Sequence, residues 1–225
     1  MWPLLAAGAV TAYAAYAAAW PSASRWGKNI HRLPTRERRL ALTFDDGPSN
    51  ETPRFLELLD RLDVPATFFV CGKNVDRRPR IARSIVSAGH RIANHSYSHP
   101  KLITCGPRRV REELSRTQLA IEDATGAQPT LFRPPYGLRA PALRSVQDDL
   151  GLLGVSWTVI GNDWKWPTRR IVSRVVDRAA PGGIVCLHDG HDTRETVDRQ
   201  ATLDAVGEIV ARLRDQGYEF VAIDT

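Results

Sequence analysis

The stretch Arg39-Leu-Ala-Leu-Thr-Phe-Asp-Asp-Gly-Pro48 is a short apolar run that ends abruptly in two carboxylates, a glycine and a proline. A run of this length bounded by turn residues predicts a buried strand that delivers Asp45 and Asp46 to its own C-terminal end. Adjacent side chains leaving a strand diverge, so the two aspartates can occupy different environments and do different jobs. A solvated acidic turn is the ordinary reading of an isolated Asp-Asp pair, and Gly47-Pro48 suits either.

The rest of the chain shifts that balance by supplying the other parts of a metal site. Asn94-His-Ser-Tyr-Ser-His99 closes a second apolar stretch, Arg91-Ile-Ala-Asn94, and sets His95 and His99 four residues apart. On a helical turn that spacing turns both imidazoles to one side, as chelation of a divalent cation requires. Two histidines and a carboxylate are a common catalytic set for Zn²⁺ and also accept Co²⁺ and other divalent ions.

Outward from these two stretches, apolar strands and amphipathic helices alternate. Phe55, Leu56, Leu58, Leu59 and Leu62 mark a helical face ended by Val64-Pro65, and Ala66-Thr-Phe-Phe-Val-Cys-Gly72 reads as a second buried strand. Ile81, Ile85 and Val86 precede Gly89; Val110, Leu114, Thr117 and Ile121 precede Gly126. Strands follow at residues 130–133, 152–160, 183–188 and 218–223, the last three separated by helical patterns near residues 171–179 and 203–213. About seven alternations predict a parallel α/β architecture. Polar clusters follow the strands, which fits an irregular (β/α) barrel with its active site at the C-terminal face of the strands.

The chain has 225 residues, 43% hydrophobic, enough for one catalytic domain and a short appendage. Its net charge of +6 favours acidic partners such as an anionic wall polymer or lipid headgroups. No long basic run with interleaved aromatics is present in the body of the chain, so nucleic acid ranks last as a partner. Cys71, Cys105 and Cys186 form no Cys-x-x-Cys, which argues against a zinc ribbon or redox pair. Cys71 and Cys186 lie in apolar runs and read as small buried hydrophobes.

Residues 2–24 carry no charge and are long enough for a signal peptide or membrane anchor, placed here at residues 1–24. Residues 25–37 read as a basic linker, and residues 38–225 as the catalytic domain. Arg25, Lys28, Arg32, Arg36, Arg38 and Arg39 all follow the apolar segment, which by the positive-inside rule favours a cytoplasmic domain.

Three later clusters complete the candidate site. Phe132-Arg-Pro-Pro-Tyr-Gly137 is a rigid turn carrying Arg133, which can pair with a carboxylate, Asp45 being the nominated one. Gly161-Asn-Asp-Trp-Lys-Trp-Pro167 puts Asp163 and two indoles on one loop, where Trp164 could wall a sugar ring or pack as a lid. Gly190 lets the chain turn after Leu187-His-Asp189, leaving His188 at a strand end. His31, His90 and His191 lack such company and receive no role.

Thr43-Phe-Asp-Asp-Gly-Pro48, His95-Ser-Tyr-Ser-His99, Arg133-Pro-Pro-Tyr-Gly137, Asp163-Trp164 and Leu187-His-Asp189 resemble, in that order, the five motifs of the polysaccharide deacetylases, the NodB-homology domain of carbohydrate esterase family four. The resemblance covers residues 38–225, and its first two motifs are highly specific together. It implies Asp45 as general base, with Asp46, His95 and His99 as ligands of a divalent metal, zinc above all. It further implies Arg133 holding Asp45, the backbone N–H of Tyr136 binding an oxyanion, and His188 as general acid tuned by Asp163. Trp164, Leu187 and Pro135 would be substrate-binding, Trp164 and Leu187 around the acetyl methyl group.

The implied activity is metal-dependent removal of N-acetyl, or O-acetyl, groups from a glycan such as chito-oligosaccharide or peptidoglycan. That substrate class places a monomeric enzyme outside the cytoplasm, membrane-anchored or secreted, against the direction of the basic flank. Two other classes remain: an amidase acting on a small non-glycan amide, and a glycan-binding module without catalysis.

Overall fold

The computed structural model describes residues 16–224. The segment expected to be a signal or anchor therefore lies mostly outside the described residues. Among those described, no helix is long and apolar enough to cross a membrane.

Nine strands, all paired in parallel, form one sheet among the described residues: β1 (Asn29–Ile30), β2 (Arg39–Gly47), β3 (Ala66–Val70), β4 (Arg91–Asn94), β5 (Leu131–Phe132), β6 (Leu153–Val155), β7 (Val159–Ile160), β8 (Gly183–His188) and β9 (Glu219–Phe220). The order across the sheet is β1-β6-β5-β4-β3-β2-β8-β7, with β9 beside the start of β2. β6 and β7 sit near opposite ends of that order, yet residues 156–158 alone join them. Four Cα–Cα steps reach at most about 15 Å, so the sheet must curl until its ends approach. The run 152–160, read from sequence as one strand, is thus bent in two and bridges the ends of an irregular barrel.

β2 is the central strand, and its alternation builds both layers. Leu40, Leu42 and Phe44 face the helices in the larger core cluster, where Phe44 packs on Phe55 and Phe68 with ring centroids 5.0 and 5.1 Å away. Ala41 points to the other side and joins Phe69, Ala93, Leu131, Val155 and Ile184 inside the curl. Thr43 and Asp45, in phase with Ala41, continue that inner row toward the C-terminal end.

Among the described residues, the helices around the sheet include α1 (Thr52–Arg61), α2 (Gly72–Arg77), α3 (Pro79–Ser87), α4 (Pro107–Thr125), α5 (Leu143–Leu150), α6 (Thr168–Val176) and α7 (Gln200–Asp215). α4 shows the sequence logic: Pro107 opens it, Val110, Leu114, Thr117 and Ile121 are buried, and Gly126 ends it in the left-handed conformation at φ 74°. α2 and α5 were not expected, because neither carries a long periodic stripe.

The stretch 25–37, expected as a linker, contributes to the fold. Asn29–Ile30 pairs with β6, and Leu33 is buried in the inner cluster. Single apolar residues among arginines leave no periodicity to read. Ala17, Ala18 and Ala23 are also buried. Buried Arg139 explains part of this: its backbone N–H donates to the Ala18 carbonyl at 2.9 Å, and its guanidinium donates to the Ala17 and Trp20 carbonyls.

Candidate active site

The expected polar residues converge at the C-terminal ends of β2, β4, β5, β7 and β8, around an open cavity of about 330 Å³. Asp45, Asp46, His95, His99, Tyr136, Trp164 and His188 line it. Arg133 and Asp163 are buried behind Asp45 and His188.

The two aspartates share this cavity, although strand alternation alone would separate them. The β2–β3 register shifts between Asp45 and Gly47, and Asp46 occupies the irregularity at φ 73°. Such a bulge re-aims a side chain at the end of a strand. As a result His95 Nε2 lies 3.8 Å from Asp45 Oδ2 and 3.5 Å from Asp46 Oδ1.

His95 and His99 are brought together without a helix. β4 ends at Asn94, and Ser96 and His99 take left-handed φ values of 64° and 57°. Asn94 Oδ1 accepts the Ser96 N–H at 2.9 Å, and Glu113 accepts the N–H groups of Tyr97 and Ser98 at 2.9 and 2.7 Å. Side-chain acceptors of this kind let a loop hold a fixed shape. The imidazole centroids are 5.0 Å apart.

The chemistry of this cluster fits a divalent cation. Ligand atoms of Asp46, His95 and His99 lie within 4.8 Å of one another. Asp46 Oδ1 is buried without a hydrogen-bond partner, 3.1 Å from His99 Nε2. His95 Nδ1 is hydrogen-bonded to the Arg133 carbonyl at 2.7 Å, and His99 Nδ1 forms an ion pair with Asp192 Oδ1 at 2.5 Å outside hydrogen-bond alignment, so each ring faces an oxygen on the nitrogen turned away from Asp46. Outer acceptors on Nδ1 leave the Nε2 lone pairs for a metal. Burial alone would lift the Asp46 carboxyl, but His95 and His99 hold it well below the usual carboxylate range. Burial would likewise depress His99, yet Asp192 and Asp46 raise it to about 9. A cation would take that proton's place.

Asp45, Cys186 and His188 also lie within 4.8 Å of one another, but they are already engaged by protein groups. Arg133 Nη1 is 2.6 Å from Asp45 Oδ1 and would compete with a second cation. Burial, reinforced by the Asp45 charge, pushes the Cys186 thiol up, so it stays protonated and donates to Asp45 Oδ2 at 3.4 Å.

Asp45 and His188 stand opposite each other in the β2–β8 register. Asp163 grips His188 twice, accepting from its backbone N–H at 2.9 Å and facing Nδ1 at 2.9 Å, while Thr202 donates to Asp163 at 3.0 Å. Burial alone would lower the His188 pKa, but the charge and hydrogen bond of Asp163, aided by Asp46 and Asp45, carry it up to about 9.

The mouth is aromatic. Trp164, 41% exposed, meets His188 edge-on at 5.1 Å; Tyr136, 53% exposed, leans on His99 at 4.7 Å. Two of the expected substrate-binding residues do not line the cavity. Leu187 is fully buried in the outer core, because the alternation of β8 turns it away from the side shared by Cys186 and His188. Cys186, Ile160 and Trp157 form the wall, and Pro134 rather than Pro135 lines the cavity. The sequence reading also missed Asp192, Asn74, Thr202 and Arg199. The signal that could have found Asp192 was weak: a His-Asp pair just after the turn at Gly190.

Comparison with known proteins agrees with this geometry. A sequence model of the polysaccharide deacetylases matches residues 32–155. The chain belongs to the polysaccharide deacetylase family. The peptidoglycan-N-acetylglucosamine deacetylase PgdA of Listeria monocytogenes is 40% identical over 189 residues, which cover 83% of this chain and 38% of that protein. The chain thus spans under two fifths of the length of this relative. The chitooligosaccharide deacetylase of a Bradyrhizobium species is 38% identical over 191 residues, covering 81% of this chain and 87% of that protein. Among solved structures, a CE4 family pseudoenzyme from Bacillus anthracis superposes with a TM-score of 0.79 at 33% identity, covering 87% of this chain and 67% of that one. A mutant of the same protein is described as having restored enzymatic activity. Membership and fold therefore leave activity to be argued from the residues.

Proposed function

We propose that this chain is a metal-dependent deacetylase that releases acetate from N-acetylglucosamine units of a glycan, peptidoglycan or chito-oligosaccharide. The observation that carries the reading is the coexistence, around one cavity, of the Asp46–His95–His99 cluster with two further pairs, Asp45–Arg133 and His188–Asp163, whose Asp45 and His188 line it. Relatives named for both glycans support the substrate class.

A divalent cation held by Asp46, His95 and His99, zinc in our reading, would polarise the acyl carbonyl and acidify a water to a pKa of about 7. Asp45 takes a proton from the attacking water, and Arg133 holds its carboxylate in place. The N–H of Tyr136, on the rigid Pro134-Pro135 turn, donates to the carbonyl oxygen as it gains charge. His188, with Asp163 on Nδ1, offers its Nε2 proton to the leaving nitrogen. An amide nitrogen leaves only when protonated, and His188 serves that step. One water and one acetamide become one acetate and one amine.

Trp164 and Tyr136 at the open mouth favour a sugar ring over a small enclosed amide. A substrate of the cell envelope implies action outside the cytoplasm. The test is acetate release from N-acetylglucosamine oligomers by protein stripped with a chelator and then reloaded with zinc or cobalt. Release that depends on the added ion supports the reading; no release from any N- or O-acetylated glycan rejects it.

A further inference from the structure

The loop that follows β8 reaches two of the three residues assigned to the cation. Asp192 Oδ1 forms an ion pair with His99 Nδ1 at 2.5 Å, outside hydrogen-bond alignment, and the Asp192 backbone N–H donates to Asp46 Oδ2 at 3.0 Å. The loop is itself anchored from beneath. Buried Asn74 on α2 donates to the Asp192 carbonyl at 2.9 Å and to the Asp46 carbonyl at 2.8 Å, so one amide ties the two backbones together. Arg77 and Arg78 donate to the carbonyls of Thr193 and Glu195, and buried Arg199 donates to the carbonyl of Gly190. Asp192 has φ 51°, a conformation that aspartate, asparagine and glycine tolerate better than other residues.

We propose that Asp192 is a positioning residue of the metal site, orienting His99 through its carboxylate and Asp46 through its backbone. The proposal rests on the cation reading above and goes beyond it by naming a residue outside the expected ligand and acid–base set. A carboxylate facing Nδ1 selects the tautomer with the proton there and the lone pair on Nε2, and fixes the plane of the ring. His95 receives the corresponding acceptor from a neutral group, the Arg133 carbonyl at 2.7 Å. The two histidines are therefore held unequally, and only the orienter of His99 carries charge. Two imidazoles and one carboxylate leave a divalent ion with net positive charge, which a second carboxylate one residue further out offsets. Tyr136 also donates to Asp192 Oδ1, at 3.3 Å, so the same carboxylate links His99 to the aromatic mouth.

Two variants separate side chain from backbone. Asp192→Gly removes the carboxylate while keeping the N–H and a backbone suited to positive φ; Asp192→Asn keeps an acceptor and removes the charge. Zinc affinity is measured by competition with a chromophoric chelator, and His99 is followed by proton NMR of the cobalt-loaded protein. There, Nδ1–H protons of ligand imidazoles are exchangeable and shifted by the metal. The wild type is expected to show two such signals. Asp192→Gly should bind zinc about 10-fold to 100-fold more weakly and lose or shift one signal, that of His99, while keeping that of His95. Asp192→Asn should fall between. Zinc affinity within 2-fold of wild type with both signals in place, in either variant that folds, overturns the proposal. A wild type that binds no divalent ion, or a His95→Ala variant that binds it as well as wild type does, overturns the cation reading instead.

Discussion

Arg133 Nη1 lies 2.6 Å from Asp45 Oδ1, and both side chains are almost wholly buried. The guanidinium also donates to Thr43 Oγ1 at 2.8 Å and to the carbonyls of Val155 and Ser156 at 3.1 and 3.3 Å, over the Phe69 ring. Its own carbonyl faces His95 Nδ1. One residue therefore links the proposed base, the inside of the barrel and a proposed ligand.

Arg133→Met should accordingly cost about 3–5 kcal/mol, the expense of leaving a buried carboxylate unpaired. Arg133→Lys should not restore it, since one ammonium cannot serve four acceptors spread over two strands and a loop. Denaturant unfolding checks this. A Met variant as stable as wild type would show that the pair contributes nothing to the fold.

The His188–Asp163 pair predicts a pH dependence. His188 is raised above its ordinary 6.5 to about 9, so the stabilisation it brings is complete below about pH 6.5 and is lost as pH rises through 9. His99, also at about 9 in the metal-free protein, loses its contribution in the same window. Proton NMR of His188 should show Asp163→Asn moving its midpoint downward, with the alkaline limb of the rate following. Bound metal should lower the midpoint too, by opposing the charges of Asp45 and Asp46. An unmoved midpoint in Asp163→Asn would remove Asp163 as the tuning group.

Two glycines make a paired prediction. A Cβ on Gly190 would overlap the backbone of Asp46, whereas one on Gly207, inside α7, meets nothing within 4 Å. Gly190→Ala should therefore destabilise by about 1–3 kcal/mol and release metal. Gly207→Ala should stabilise by roughly 0.5–1 kcal/mol with metal content unchanged. Equal effects of the two substitutions on unfolding and metal content would contradict the assigned contact.

Much of this architecture was legible in the sequence, for a physical reason. β2 reads clearly because it is buried on both faces and ends in residues that cannot continue a strand. α4 reads clearly because its stripe is long and is bounded by Pro107 and Gly126. The five polar clusters follow strands, so topology alone gathers them. β1 escapes because a two-residue strand has no period, and its partner β6 is distant in sequence. The bulge at Asp46 and the left-handed turns at Ser96 and His99 are held by tertiary hydrogen bonds, so spacing misread both. Leu187 was misplaced by one residue on β8, which on a strand means the opposite face. Asp192 declares itself only when the last loop is folded over α2.

The most direct test of the whole account compares Asp45→Asn with Asp46→Asn, measuring metal content and acetate release on the same preparations. The account predicts that Asp45→Asn keeps its metal and loses roughly 10²-fold to 10⁴-fold in rate, as expected for removal of a general base. Asp46→Asn should lose the metal and recover part of its activity in excess zinc or cobalt. Loss of metal from Asp45→Asn with retention in Asp46→Asn would contradict the division of labour between the two carboxylates.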